Sequence, residues 1–214
     1  METNKVSRKF KIYKDYCGVG CNIYLRSNIE IYSGLTILVG CNGIGKSTLI
    51  HQLRDKFKID GTPFIEFDNL HDGGANARSL AGFNSDFSFL ATAAFSSEGE
   101  NIFMNLSKFA NKIVGFCKSH QDDKELWILM DAIDSGYSVD NVVDIKNFCN
   151  HIINDFGKKT NIYIIISANE YELARNEQCF DVYRGKYIHF NSYDEYREFI
   201  LDTRKEKDKR IYNE

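Results

Sequence analysis

The stretch that most constrains this chain is Thr36-Ile-Leu-Val-Gly40-Cys-Asn-Gly-Ile-Gly45-Lys46-Ser47-Thr48-Leu-Ile50. A β-favouring run, Thr36 to Val39, stops at a glycine; a short loop follows, and Lys46, Ser47 and Thr48 lead into residues that read as helix. Gly40, Gly45, Lys46 and Ser47 fill the G-x-x-x-x-G-K-S/T phosphate-loop pattern in the strand–loop–helix context it requires. The spacing has a physical cause. Glycines let successive backbone N–H groups converge on phosphate oxygens, and the start of a helix adds a favourable dipole. Lys46 is then placed to reach the β- and γ-phosphates, and the Ser47 hydroxyl to ligate Mg²⁺. Asn42, Gly43 and Thr48 complete the expected nucleotide-contacting set. A glycine-rich turn before an ordinary helix requires none of the fixed positions, and all are filled. The chain is expected to bind a nucleoside triphosphate.

At 214 residues the chain has room for one core, with at most a modest subdomain. No segment approaches the ~20 consecutive apolar residues of a membrane helix. The start, Met1-Glu-Thr-Asn-Lys-Val-Ser-Arg-Lys, lacks the apolar run of a secretory signal. A cytoplasmic location is expected. A net charge of −3 gives no global pull toward nucleic acid. Cys17 and Cys21 have no second pair or nearby histidine to complete a zinc site, so the six cysteines read as reduced, mostly structural thiols. Cys41 lies inside the loop, where oxidation would interfere with binding.

Along the chain, Lys9 to Ile31 reads as an antiparallel meander turning at Gly18/Gly20 and near Ser27-Asn28. Leu49, Ile50, Leu53 and Phe57 form one apolar face of a helix that begins at Lys46 and ends before Asp60-Gly61. Phe64 to Phe67 is a short strand. Phe83, Phe87, Phe89 and Phe95 are either a core stripe or a partner-facing surface. Ser97 to Cys117 and Val139 to Phe156 have helical spacing, and Leu126 to Met130 and Asn161 to Ser167 are strands buried on both faces. Phe180 to Phe190 reads as a hairpin turning at Gly185. The terminal helix, Ser192 to Arg210, opens with Ser192 and Glu195 at capping-box spacing. Its mixed-charge stretch from Arg204 to Arg210 reads as a solvated helix end.

An apolar strand ending in Asp131 offers a carboxylate that can hold Mg²⁺ beside the loop. The run Asp131-Ala-Ile-Asp134-Ser-Gly136-Tyr-Ser138 resembles the passage from Walker B into the D-loop in ABC-type ATPases. Ser96-Ser97-Glu98-Gly99-Glu100 resembles the ABC signature, in the form found in the SMC-like branch of chromosome-structure and DNA-repair members. Ser167-Ala168-Asn169 stands where the switch histidine strand ends, and the hairpin and opening meander also have counterparts in that family. The resemblance spans nearly the whole chain in the expected order.

It implies two subunits packed head to tail, each ATP lying between one subunit's loop and the other's signature, with Ser97 and Gly99 touching the partner's γ-phosphate. Tyr13 or Tyr16 would stack on the adenine, or else belong to the meander core. The catalytic positions carried over are Lys46, Asp131 and Asn169, and the metal-holding ones Ser47 and Asp131. Three departures matter. Ala132 stands where the family has its catalytic glutamate, and alanine cannot orient a water. Asn169 replaces the switch histidine, and it cannot take up a proton. No glutamine follows the Phe64–Phe67 strand, where Asp68 or Asn69 stands instead.

The expected fold is α/β, a single domain over 1–214. It comprises an antiparallel β subdomain (about 1–35), a P-loop core (36–69 and 118–214) and a small helical subdomain (70–117). With Ser97 only 51 positions after Lys46 there is no room for a long coiled coil. The expected function is a soluble, ATP-gated dimer, or a heteromer with a protein partner, that uses ATP and Mg²⁺, hydrolyses slowly or with a partner's help, and acts on another macromolecule. A DNA-related and a phage- or defence-related target are both open. Two other classes stand beside it: the energy subunit of a membrane transporter, and a catalytically inactive regulatory module.

Overall fold

The computed structural model describes residues 5–15, 22–68, 98–134 and 138–212, with the backbone alone over 98–107 and 211–212. In chain order come β1 (Ser7–Lys11), β2 (Asn28–Tyr32), β3 (Gly34–Val39), α1 (Lys46–Asp60) and β4 (Phe64–Asp68). After these lie α2 (Glu98–Ser119), β5 (Glu125–Asp131), α3 (Val139–Phe156) and β6 (Asn161–Ser167). The last elements are α4 (Tyr171–Ala174), β7 (Cys179–Asp181), β8 (Lys186–Ile188) and α5 (Tyr193–Tyr212).

Six strands form a largely parallel sheet in the order β4-β5-β6-β3-β7-β8, in which only β8 runs antiparallel. The central strands are apolar on both sides because both faces are covered. Leu126, Ile128 and Met130 of β5 share one core with Ile162, Ile164 and Ile166 of β6, beneath α2 and α3. Trp127 and Leu129, with Tyr163 and Ile165, enter the other core, beneath α1 and the β1–β2 ribbon. There Trp127 and Tyr163 stack at 4.0 Å, and the Arg8 guanidinium lies 5.8 Å from the Trp127 ring while pairing with Asp60 and Glu125.

The helix expected from Lys46 forms, and Leu49, Ile50, Leu53 and Phe57 are its buried face. Phe109, Ile113 and Cys117 of α2 pack into the main core, with Phe109 4.6 Å from Phe67. The hairpin turns at Gly185 as expected. Ser192 Oγ accepts the Glu195 N–H, but the Glu195 carboxylate reaches back to the N–H of Asn191 rather than of Ser192. Among the described residues no helix is long and apolar enough to cross a membrane.

Two expectations need correction. Between Lys9 and Ile31 the described residues form a two-stranded ribbon, Ser7↔Tyr32 to Lys11↔Asn28, and Ile23 to Leu25 is not a strand. The Tyr24 ring is buried and its hydroxyl donates to Gly45 O at 2.8 Å, while the flanking Ile23 and Leu25 N–H groups go to two different segments, to Lys14 O at 2.7 Å and Tyr183 O at 2.9 Å, so no ladder forms. The turn expected at Gly18/Gly20 lies outside the described residues. The second correction concerns Arg204 to Arg210. Arg204 and Asp208 pair in solvent, but Lys207 and Arg210 reach back to backbone carbonyls of Asn42 and Ile23.

Candidate functional site

In a parallel sheet the carboxyl ends of the strands share one edge, and ligands of open α/β sheets bind in the crevice there. Here β6 lies between β3 and β5. The end of β6 therefore stands between the Gly40–Gly45 loop, which leaves β3, and Asp131, which closes β5. Three segments far apart in sequence meet at this edge for a topological reason.

The loop depends on its glycines at two points. Gly40 has φ 140°, and a Cβ there would lie 2.8 Å from Ile44 Cγ2. Gly45 has φ 114°, and a Cβ there would lie 2.4 Å from Ile23 Cγ2. Only glycine takes such backbone angles at so close an approach. Gly45 also sits at the N-cap of α1, where it supplies no side-chain acceptor, and the first turn of the helix has no acidic residue. The first N–H groups of a helix have no intrahelical partner, and the helix dipole favours an anion in that position.

Lys46 is nearly buried. Its ammonium donates to Gly40 O at 2.7 Å and to Asn169 Oδ1 at 3.0 Å, bracing the loop against the end of β6. Burial lowers its pKa, and the carboxylates of Asp134 and Asp131 oppose that shift. Ser47 Oγ donates to Asp131 Oδ1 at 3.1 Å. The same carboxylate oxygen accepts the Ser167 hydroxyl and, at 3.0 Å, the Ala132 N–H. Ala132 has φ 50°, an uncommon angle for a residue with a Cβ.

A cavity of about 210 Å³ opens among these groups, lined by Asn42, Gly43, Gly45, Lys46, Ser47, Thr48, Asp131, Ala132, Ser167 and Asn169, with Ile23 at its rim. Drug-sized ligand pockets usually run from about 300 Å³ upward. This one has the size and the donors for a phosphate chain, not for a whole nucleotide. Larger clefts of about 520 and 630 Å³ lie at the ribbon–hairpin junction and at the opposite edge of the sheet, and neither is lined by Lys46, Ser47, Asp131 or Asn169.

The structure thus brings Gly40, Asn42, Gly43, Gly45, Lys46, Ser47, Thr48, Asp131 and Asn169 together. Tyr13 stands apart. Its backbone is clamped by both ends of the Gln52 amide, at 2.7 and 3.1 Å, but the residue is 72% exposed, so it is not a core residue. Tyr16, Asn69 and Ser97 lie outside the described residues, and Gly99 falls in the first turn of α2. Asp68 stands in register with Asp131 at the end of the neighbouring strand.

Several participants carry no local signal in the sequence. Ser167 shares Asp131. Asp134 accepts the N–H groups of Asn169 and, at 2.6 Å, of Glu170, fixing the end of β6. Tyr196 donates to Asn169 O at 2.7 Å from the terminal helix. The hints in the sequence were that Asp134 follows closely on Asp131 and that Ser167 opens the Ser167-Ala168-Asn169 run; Tyr196 had none.

Ser47 and Asp131 are oxygen donors of the kind Mg²⁺ takes. Among the described residues no three His, Cys, Asp or Glu side chains gather into a metal cluster. A divalent cation here would draw its remaining ligands from phosphate oxygens and water.

No family model matches this chain, and no curated protein matches it. Among solved structures it is similar to Stu0660 of Streptococcus thermophilus, with a TM-score of 0.48 and 10% identity over 86% of this chain and 76% of that one. At that level of likeness nothing about ligand or partner carries over. What stands is a mixed α/β fold with a largely parallel sheet and a separate antiparallel pair of strands.

Proposed function

We propose that this chain is a nucleotide-binding protein of the ABC-type P-loop class: a dimer gated by ATP, with slow or partner-dependent hydrolysis, that acts on another macromolecule. One observation carries the reading. Lys46, Ser47, Asp131 and Asn169 converge on a helix start whose N-cap residue, Gly45, makes no side-chain cap hydrogen bond.

Within this reading the loop N–H groups and the first turn of α1 hold the phosphates. Lys46 turns from Gly40 O toward the terminal phosphates and supplies the cation. Ser47 and Asp131 would hold Mg²⁺, which when bound screens the charge of the β- and γ-phosphates. Asn169 stays within hydrogen-bond reach of the terminal phosphate. Nothing in the described site offers a base at the position of Ala132, so ATP is held longer than it is spent. Ser97 and Gly99 would complete the site of a second copy, and the exposed Tyr13 would face the base.

The strained Ala132 favours a second reading, a regulatory module that binds ATP without turning it over. The deciding experiment measures ATP binding, turnover and oligomeric state with and without Mg²⁺, for wild type, Lys46→Ala and Ala132→Glu. Loss of binding in Lys46→Ala and gain of turnover in Ala132→Glu support the first reading. Binding with no turnover in either form supports the second. Unchanged binding in Lys46→Ala overturns both.

A further inference from the structure

We propose that the terminal helix α5 is part of the phosphate-binding device: Thr203 and Lys207 set the orientation of two loop peptides, and loop occupancy is thereby coupled to the docking of α5. The inference rests on the nucleotide-binding reading of the loop.

Residues 203, 207 and 210 follow helical spacing, i, i+4 and i+7, and so lie along one stripe of α5. Each meets the backbone of the loop or of its neighbouring segment. Thr203 is fully buried; its hydroxyl accepts the Cys41 N–H at 3.0 Å and donates to Ile200 O at 2.9 Å. The Lys207 ammonium donates to Asn42 O at 2.9 Å and would lie 3.6 Å from a Cβ on Gly43. Arg210 donates to Asn22 O at 3.0 Å and to Ile23 O at 2.6 Å, with its guanidinium 4.3 Å from the Tyr183 ring. Ile23 in turn packs against Gly45.

Peptide planarity gives these contacts their meaning. In a trans peptide the C=O of one residue and the N–H of the next point in opposite directions. Thr203, by holding the N–H of Cys41, fixes the peptide whose oxygen, Gly40 O, accepts Lys46. Lys207, by holding Asn42 O, fixes the peptide whose N–H belongs to Gly43, a residue lining the cavity. A cation on that carbonyl also polarises the N–H at the other end of the same peptide. The helix therefore acts from behind the loop on groups that face the ligand in front. Thr203 and Lys207 are positioning residues.

Coupling is reciprocal, so a ligand that prefers the ordered loop must also favour the docked helix. The test titrates Mg-ATP into wild type, Lys207→Met, Lys207→Arg and Lys46→Ala by calorimetry, and follows amide exchange of residues 203–210 with and without Mg-ATP. Lys207 is only half-buried, so its variants are expected to fold, and a thermal melt checks this. Expected are a weakening of about tenfold in Lys207→Met, recovery of most of that loss in Lys207→Arg, and slower exchange in α5 of wild type with Mg-ATP but not in Lys46→Ala. If wild type binds ATP while Lys207→Met binds it equally well and α5 exchange does not respond, this proposal alone fails. If wild type does not bind ATP, the nucleotide reading fails and takes this proposal with it.

Discussion

The Ser47 hydroxyl and the Asp131 carboxylate meet at 3.1 Å, although 84 positions separate them in the chain. The contact exists because β3 and β5 run parallel and end at the same edge of one sheet. Asp131 is buried, and a single oxygen of it takes two hydroxyls and one N–H. Asp131→Ala takes from the buried Ser167 hydroxyl its carboxylate acceptor, while the Ala132 N–H keeps Ser167 Oγ at 2.9 Å, and losing such an acceptor costs about 1–3 kcal/mol. Chemical denaturation should show that loss. Asp131→Asn, milder for the fold, is expected to remove the Mg²⁺ dependence of ATP affinity. Equal affinity gains on adding Mg²⁺ to wild type and to Asp131→Asn would end the metal assignment.

On the proposed reading of the site, Lys46 should set an alkaline limit on ATP binding. Burial lowers its pKa below 10.5, and Asp134 is the largest of the charges that raise it again. ATP is fully ionised in this range, so affinity should fall as pH rises through the lowered Lys46 pKa. Removing the opposing charge in Asp134→Asn moves the pKa further down. The alkaline fall in ATP affinity should then begin at lower pH in Asp134→Asn than in wild type. Titrations across the alkaline range read this directly, and coincident profiles would falsify it.

Gly45 is the point where backbone angle and crowding coincide. A methyl group there meets Ile23 Cγ2 at 2.4 Å and a Tyr24 ring carbon at 3.0 Å, on a backbone at φ 114°. Gly45→Ala is expected to lower stability by about 1–3 kcal/mol. It should also dislodge Tyr24, whose hydroxyl holds Gly45 O. Thermal unfolding checks the first effect and tyrosine fluorescence the second. A Gly45→Ala protein as stable as wild type would show that the loop relaxes at no cost.

How much of this was legible in the sequence follows from the range of the interactions. The loop, α1 and the buried strands announce themselves because glycine spacing and apolar runs are local signals. Asp131 could be picked out because a strand that ends in a carboxylate is also a local pattern. Ser167, Asp134 and Tyr196 could not, since their partners are fixed by β6 lying between β3 and β5, and no short stretch encodes that order. Ile23 to Leu25 has the composition of a strand, but its contacts are divided among Lys14 O, Tyr183 O and, through the Tyr24 hydroxyl, Gly45 O, and these tertiary partners override β propensity. Arg204 to Arg210 reads as a solvated end because mixed charge usually does; the carbonyls that engage Lys207 and Arg210 belong to segments more than 160 positions earlier.

The buried thiols contribute to the pH dependence of stability in the alkaline range, as do the buried tyrosines Tyr163 and Tyr196, whose pKa values burial also raises. Burial pushes Cys117 up to about 11, and Cys149 and Cys179 up to about 12, from an ordinary value of 9.0. For each, the folded pKa is raised, so the contribution to stability is fully present below pH 9.0 and is lost as pH climbs toward the folded value. In that window the unfolded chain releases thiol protons that the native state keeps. Stability measured by urea unfolding should therefore decline from about pH 9 toward about pH 12, with Cys149 contributing because it is wholly buried on the inner face of α3. Cys149→Ala is expected to cost about 1 kcal/mol at neutral pH through the small void it leaves. It should also show a shallower decline above pH 9 than wild type, since one proton fewer separates the two states. Thiol-reactive probes should leave Cys117, Cys149 and Cys179 unmodified in the native protein at neutral pH. Rapid labelling of Cys149 without unfolding, or a slope unchanged in Cys149→Ala, would show that this thiol does not feel the interior as its burial requires.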